Sequence, residues 1–186
     1  MGTRDEKYTL EGMIEFDEGY FTVESSEIEQ EKGVRGRGAA GKQNVAVMAE
    51  SVPLENLETG EKSKSCRYFK AKVLETHLSL EINETIKESI DNQSIVFTDK
   101  STSYVDIADF VELHITEKSD KETTKETLKW VHITISNAKR NLLGNYHKIK
   151  RKYLQLYLNE FIYKLNRRYF GDKLFERLII ANITAV

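Results

Sequence analysis

The pattern of apolar and polar positions predicts a run of β-strands in the first half of the chain. Residues 13–23 alternate between the two classes and predict two short strands, with Glu18 and Gly19 forming the turn between them. Residues 44–51 are apolar enough for a strand buried on both faces, and residues 67–74 predict a further strand. The chain therefore begins with three or four strands in succession.

The second half of the chain changes to helical spacing. One predicted helix has an apolar face in which every fourth residue is apolar, formed by Leu78, Ile82, Ile86 and Ile90. The elements predicted after it are a strand at 95–97, a short helix at 104–110, a strand at 111–115, and helices at 131–143 and 150–169 with a turn at Gly144 and Asn145. This order is typical of a ribonuclease-H-like, or retroviral-integrase-like, α/β fold: a mixed sheet with flanking helices, here with basic C-terminal helices.

Length and composition fit one folded domain. The 186 residues are 39% hydrophobic with a single proline, which argues against disorder and predicts one domain over residues 1–186. Cys66 is the only cysteine, which excludes a disulfide framework and fits a reducing cytosol. No apolar run approaches the roughly 20 residues of a membrane span, and the N-terminus lacks a signal-peptide core. We therefore expect a cytoplasmic protein with no membrane partner.

The charge is unevenly distributed along the chain. The net charge is −2, but residues 139–168 contain nine Lys or Arg and one acid, a local charge of +8. Residues 169–186 are neutral in sum, so residues 1–138 carry −10. A basic segment on an acidic body predicts contact with phosphate, although a solvated basic helix is the simpler alternative.

A glycine-rich loop matches a nucleotide-binding motif by letter only. Residues 36–41 read G-x-G-x-x-G, but a charged loop precedes them and a predicted strand follows. The motif needs a strand before it and a helix after it, so that the helix N-terminus faces phosphate. We therefore reject a nucleotide site and predict a flexible arm near DNA.

Two aspartates are the strongest candidates for chemistry. Asp17 follows the strand-like residues 14–16, and Asp99 follows residues 95–97. Carboxylates that emerge from neighbouring strands repel each other unless a hard cation lies between them, which predicts Mg²⁺ or Mn²⁺ in a two-metal site. Taken singly, aspartates at strand ends are also common turn formers.

Six sequence blocks, in order along nearly the whole chain, resemble a bacterial insertion-sequence transposase of the DDE type. They read I-E-F-D-E-G-Y-F, R-G-R-G-A-A-G-K, V-A-V-M-A-E, I-V-F-T-D-K-S-T-S-Y, W-V-H-I-T-I-S-N-A-K-R-N-L-L-G-N-Y-H and K-Y-L-Q-L-Y-L-N-E-F-I-Y-K-L-N-R-R. The group it is similar to, with an ISXO2-like catalytic domain, carries a zinc ribbon before that domain. Such a ribbon is not expected in a chain with one cysteine.

The resemblance implies which residues act, and the third position departs from the family pattern. Asp17 and Asp99 match the first two acids, but His132 stands where family members place a glutamate, 33 positions after Asp99. Asn137 is the rival third residue. Seven helical residues rotate by about 700°, which places His132 and Lys139 within about 20° of one face, whereas Asn137 lies roughly 140° from His132. We therefore favour His132 as the metal ligand; a buried structural histidine remains the alternative.

The resemblance also implies the activity and the partners. The expected reaction is divalent-metal-dependent cleavage of a phosphodiester at the element end, followed by strand transfer into target DNA. We expect a nucleoid-associated homo-oligomer that binds DNA through Lys139, Arg140, Lys148, Lys150, Arg151, Lys152, Arg167 and Arg168. The competing hypotheses are a related nuclease without strand transfer and a truncated DNA-binding remnant with weak or no catalysis.

Overall fold

The fold is built around one five-stranded mixed sheet. The computed structural model describes residues 5–24, 41–76, 78–118 and 126–183. The strands are β1 (Met13–Thr22), β2 (Lys42–Glu55), β3 (Lys62–Leu74), β4 (Ile95–Asp99) and β5 (Leu113–Glu117). They lie in the order β3-β2-β1-β4-β5, antiparallel in the β1–β2–β3 part and parallel from β1 to β5. The predicted α/β class, a mixed sheet with flanking helices of the ribonuclease-H-like type, is confirmed.

Helices and short 3₁₀ segments complete the described residues. The α-helices are α1 (Ser79–Ser89), α2 (Lys129–Tyr146), α3 (Leu154–Asn166) and α4 (Leu174–Ile183). The 3₁₀ segments are Thr102–Asp109, Arg151–Tyr153 and Arg168–Lys173. None of the described helices is long and apolar enough to cross a membrane. Most of the predicted arm at residues 36–41 lies outside the described residues.

The predicted turn at Glu18 and Gly19 is wrong, because β1 is one continuous strand. It pairs with β2 without a break, from Met13 opposite Ser51 to Thr22 opposite Lys42. Gly19 is needed for close packing: a Cβ at this position would lie 3.0 Å from the Cγ2 atom of Ile135 on α2. A glycine that allows close approach of a helix gives the same sequence signal as a glycine in a turn.

The C-terminal helices also differ from the prediction. The turn expected at Gly144 and Asn145 is absent, because α2 runs through both and ends at Tyr146; the next residue, His147, adopts a positive φ of 46°. The helix expected over residues 150–169 is divided into a 3₁₀ turn and α3, and it is followed by α4, for which the sequence pattern made no prediction. The position of α3 is explained by two of its own side chains, which contact β3.

The outer edge of β3 is covered by two side-chain amides of α3. Asn166 accepts a hydrogen bond from the backbone N–H of Phe69 (2.8 Å) and donates to its carbonyl oxygen (3.0 Å). Gln155 accepts from the N–H of Val73 (2.7 Å) and donates to the carbonyl oxygen of Ala71 (3.0 Å). These amides take the place of a neighbouring strand and protect the edge from pairing with another chain.

Each face of the sheet carries its own core. One core packs Phe21, Val47 and Phe69 against α2 and α3. The other packs Ile14, Phe16 and Met48 against α1 and the first 3₁₀ segment. Since side chains alternate along a strand, Glu15, Asp17 and Gly19 on β1 all face α2. The site described next lies between this face of β1 and α2.

Candidate active site

The two candidate aspartates lie on neighbouring parallel strands. The pairing of β1 with β4 places Glu15 opposite Phe97. Continuing this register by two residues brings Asp17 level with Asp99, the last residue of β4. The negative charge of Asp99 acts on Asp17 and raises its pKa. The structure therefore brings together the two acids that the sequence singled out.

Asp17 occupies a site that disfavours its charged form. Its side chain is 16% exposed, and its Oδ1 atom accepts a hydrogen bond from the N–H of Glu18 at 2.8 Å. Burial, the largest cause, together with the charges of Asp99 and Glu18, raises the pKa of Asp17 to about 7, against the lowering effects of that hydrogen bond and of Lys139. A carboxylate held this way gains strongly from a nearby cation.

His132 lies in the first turn of α2, directly over Asp17. Its Nδ1 atom is 3.7 Å from Oδ2 of Asp17, and its side chain is one-third exposed. Burial lowers the pKa of His132, while the charge of Asp99 raises it. The net lowering favours the neutral imidazole, which is the form that can donate a lone pair to a metal.

Asn137 makes a different contact from His132. Its amide oxygen accepts a hydrogen bond from Nη2 of Arg140 at 2.6 Å, on an exposed part of the helix. Lys139, by contrast, interacts with the charge of Asp17, and burial lowers its pKa. His132 and Lys139 thus both act on Asp17 from one face of α2, as the rotation angle predicts.

The donor set fits a hard divalent cation. Among the described residues, no three His, Cys, Asp or Glu side chains lie close enough to form a ready-made metal cluster. However, two neighbouring carboxylates and a neutral imidazole are ligands that Mg²⁺ or Mn²⁺ accepts. Burial and the charge of Asp99 raise the pKa of Asp17, so a cation beside it would favour its charged form. Asp17, Asp99 and His132 are the residues that could hold such an ion.

A tyrosine that the sequence motifs did not indicate lies on the opposite face of β1. The Tyr104 hydroxyl donates to Oε1 of Glu18 at 3.1 Å, and the side-chain amide of Asn44 donates to Oε2 of Glu18. Burial and the charges of Glu18, Asp17 and Asp99 raise the pKa of Tyr104. Glu18 is therefore held in place by its neighbours, next to the acidic pair.

Glu15 is the other residue of the site that the sequence motifs did not indicate. Its carboxylate is fully buried under the first turn of α2, where it accepts hydrogen bonds from the backbone N–H groups of Trp130 and Val131. The available signal was the alternation of β1, which places Glu15 on the same face as Asp17.

The predicted DNA-binding residues fall into two groups. Lys148, Lys150 and Lys152 are exposed, and the backbone of Lys150 forms an isolated parallel β-bridge with the backbone of Glu24, just beyond the C-terminal end of β1. Arg151 donates to the Lys42 carbonyl (3.3 Å) and to the Gln43 side chain, at the same end of the sheet. Lys139 and Arg140 are exposed on α2.

Arg167 and Arg168 make contacts within the fold, at the other end of the sheet. The Arg167 guanidinium donates to both carboxylate oxygens of Asp5, at 2.7 and 3.2 Å, and lies 3.6 Å from the centre of the Tyr163 ring. Arg168 donates to the carbonyl oxygens of Cys66 (2.5 Å) and Leu165 (2.9 Å). These contacts tie the end of α3 to β3 and to the N-terminal segment.

Comparison with known proteins identifies the family of the chain. No curated protein matches the sequence. The model of the ISXO2-like transposase domain matches residues 9–166, which include every strand of the sheet, both aspartates and the whole of α2. The match covers most of the chain, so this protein belongs to the family of ISXO2-like transposase domains.

Proposed function

We propose that this domain cleaves DNA at the ends of a mobile element and joins the freed end to target DNA, with Asp17, Asp99 and His132 as the metal-binding residues. The observation that carries the proposal is the position of Asp17, which has His132 on the first turn of α2 at 3.7 Å from its carboxylate and is affected by the charge of Asp99 on the neighbouring strand β4. Membership in a transposase family supplies the reaction class.

The proposed reaction has two displacements at phosphorus. In the first, a water oxygen bonds to phosphorus as the phosphorus–O3′ bond breaks, which leaves a 3′-hydroxyl on the element end. In the second, that hydroxyl oxygen bonds to a phosphorus of target DNA as its phosphorus–O3′ bond breaks. Bound Mg²⁺ or Mn²⁺ supplies Lewis acidity toward the attacking and leaving oxygens.

The chain's own residues prepare this site. Asp17 and Asp99 provide the negative charge that recruits the cations, and His132 provides a neutral nitrogen ligand, so the site carries less negative charge than one with three carboxylates. Lys139, on the same face of α2, supplies a positive charge for a DNA phosphate.

The DNA backbone would follow the exposed cations near the C-terminal end of β1. Lys139, Arg140, Lys148, Lys150 and Lys152 are the proposed contacts, since all five are exposed. Arg151 both orders the start of β2 and extends this basic surface. Binding should weaken as salt rises, because phosphate contacts release counterions.

Replacement of the aspartates tests the proposed site. Asp17→Asn and Asp99→Asn should each reduce Mn²⁺-dependent cleavage of element-end DNA by roughly 10³-fold or more, because each removes a charge that the transition state needs. DNA affinity measured by fluorescence anisotropy should stay within about twofold. Asp172→Asn, at an exposed aspartate of the last 3₁₀ segment, is the matched control and should cleave normally. Full cleavage by both active-site variants would refute the proposal.

A second measurement separates transfer from simple hydrolysis. A pre-cleaved element end with a 3′-hydroxyl should be joined to a target plasmid, whereas the same end with a 3′-deoxy terminus should not. Cleavage without joined product would identify a nuclease. Absence of both cleavage and Mn²⁺ binding up to millimolar concentration would identify a DNA-binding remnant. Sizing of the complex on paired ends tests the expected homo-oligomer.

A further inference from the structure

A buried carboxylate that the proposed chemistry does not use lies two residues before Asp17. The Glu15 side chain is 0% exposed, and it lies on the face of β1 that carries Asp17. A buried carboxylate is costly unless it is paired and hydrogen-bonded. The partners of Glu15 therefore indicate its role.

Two of these partners are backbone groups at the start of α2. Oε2 of Glu15 accepts hydrogen bonds from the N–H groups of Trp130 (2.6 Å) and Val131 (3.2 Å). The first N–H groups of a helix have no partner within the helix, and Leu128, at the N-cap position, has no side-chain acceptor to offer. Glu15 thus caps α2 from another element, with its charge at the positive end of the helix dipole.

Lys64 on β3 completes the attachment. Its Nζ atom lies 2.7 Å from Oε1 of Glu15 and donates to the carbonyl oxygen of Thr127 at the same distance, 2.7 Å. The chain that enters α2 is therefore held at Thr127, Trp130 and Val131, and the next residue is His132.

We propose that Glu15 is a positioning residue that sets the distance between His132 and Asp17 by tying the first turn of α2 to β1. This inference rests on the proposed function, because it assumes that His132 and Asp17 share a metal. Glu15 and Asp17 are about 7 Å apart along the strand, and His132 directly follows Val131, so the attachment and the site share the same two elements. Groups that orient metal ligands typically change metal affinity by 10- to 100-fold when they are removed.

The single tryptophan of the chain reports directly on this attachment. Trp130 is the only tryptophan, and its backbone N–H is one of the two that Glu15 binds. Glu15→Gln preserves the size of the side chain but removes its charge. We expect this variant to shift the Trp130 emission spectrum and to raise the Kd for Mn²⁺, measured by calorimetry without DNA, about tenfold.

Glu50→Gln is the matched control. Glu50 is a second buried carboxylate, 2% exposed, on the neighbouring strand β2, and it accepts hydrogen bonds from the Tyr8 hydroxyl and the Glu11 N–H on the other side of the sheet. This variant should lose stability without changing the Trp130 emission or the Kd for Mn²⁺. An equal change in both variants would show a general loss of structure and overturn the inference.

A double-mutant cycle tests whether Glu15 acts through His132. His132→Ala should raise the Kd for Mn²⁺ at least tenfold, and adding Glu15→Gln to it should cause no further rise. Independent, multiplying losses would overturn the positioning role. If neither Asp17→Asn nor His132→Ala changes Mn²⁺ binding, the proposed site itself fails; if both weaken binding and Glu15→Gln does not, only the positioning role fails.

Lys64→Gln keeps the test decisive if Glu15→Gln does not fold. The Lys64 side chain is 22% exposed, so its replacement is milder. We expect a smaller shift of the Trp130 emission and a smaller rise of the Kd for Mn²⁺, in the same directions. A folded Lys64→Gln protein with unchanged values for both would overturn the inference.

Discussion

Glu15 and Asp17 are two buried carboxylates on one face of one strand, and their surroundings differ. Glu15 is fully buried, with Lys64 and two backbone N–H groups as partners. Asp17 is 16% exposed and faces a second carboxylate, Asp99, and the backbone N–H at its Oδ1 atom and the charge of Lys139 offset its burial only in part. Burial alone therefore does not decide whether a carboxylate serves structure or chemistry. The two carboxylates differ in how far the fold compensates their charge.

The pKa values express the same contrast. Burial, the largest cause, raises the pKa of both groups. For Glu15, Lys64 and two backbone N–H groups oppose the rise; for Asp17, the Glu18 N–H and Lys139 oppose it, but the charge of Asp99 adds to it. The pKa of Asp17 rises from 3.8 to about 7. At about 1.4 kcal/mol per unit, ionisation of Asp17 in the metal-free fold costs on the order of 4 kcal/mol. Because the pKa is raised in the fold, the protein has its full stability below about pH 4, where Asp17 is protonated in both states. It loses this contribution as the pH rises from about 4 to about 7.

The largest expected effect is an opposite change of stability in the two variants. At pH 8 without metal, Asp17→Asn should raise the free energy of unfolding by up to about 4 kcal/mol, because no buried charge must form. Glu15→Gln should lower it by about 3 kcal/mol, because Lys64 loses its partner. Urea unfolding at pH 8 and pH 5 measures both, and the gain from Asp17→Asn should shrink at pH 5. A loss of stability in both variants at pH 8 would remove the distinction between the two carboxylates.

A smaller difference in stability and DNA binding is expected between variants of paired and of exposed cations in the basic C-terminal segment. Arg167→Ala breaks an ion pair with Asp5 in which both side chains are largely buried, and it should cost about 3 kcal/mol of stability with little change in DNA affinity. Lys150→Ala should leave the unfolding free energy within about 0.5 kcal/mol and reduce the salt dependence of DNA binding by about one counterion. A reversed pattern, with Arg167 controlling the salt slope, would place DNA at the other end of the sheet.

The smallest effect concerns the third metal ligand. His132→Ala should raise the Mn²⁺ concentration for half-maximal cleavage by about 30-fold, roughly 2 kcal/mol, because it removes the nitrogen donor nearest Asp17. Asn137→Ala should change that concentration less than twofold, since its amide contacts Arg140. If Asn137→Ala has the larger effect, the third ligand is Asn137. The contrast between Glu15 and Asp17 then carries no conclusion about His132.

Local pattern predicted most of the fold. The apolar run at residues 44–51, the strand-like residues 67–74 and the four-residue spacing from Leu78 predicted β2, β3 and α1, because the burial of each element follows from its own sequence. Two of the errors are at Gly19 and Gly144. A glycine in the sequence is compatible with a turn, with close packing of another element, or with a helix interior. Only the neighbouring element in the structure distinguishes these three cases.

The chain by itself determined the two aspartates, the histidine at the family's glutamate position, and the concentration of positive charge in its last third. The aspartates and the charge follow from residue identity and spacing, and the place of the histidine follows from the resemblance to the transposase family; the fold changes none of these. Only the tertiary structure decided that Arg167 pairs with Asp5 and that Glu15 caps α2. It also revealed that burial, with Asp99 nearby, disfavours the charged form of Asp17. Each of these depends on residues far apart in the sequence, and charge compensation is a property of surroundings that the linear pattern does not contain.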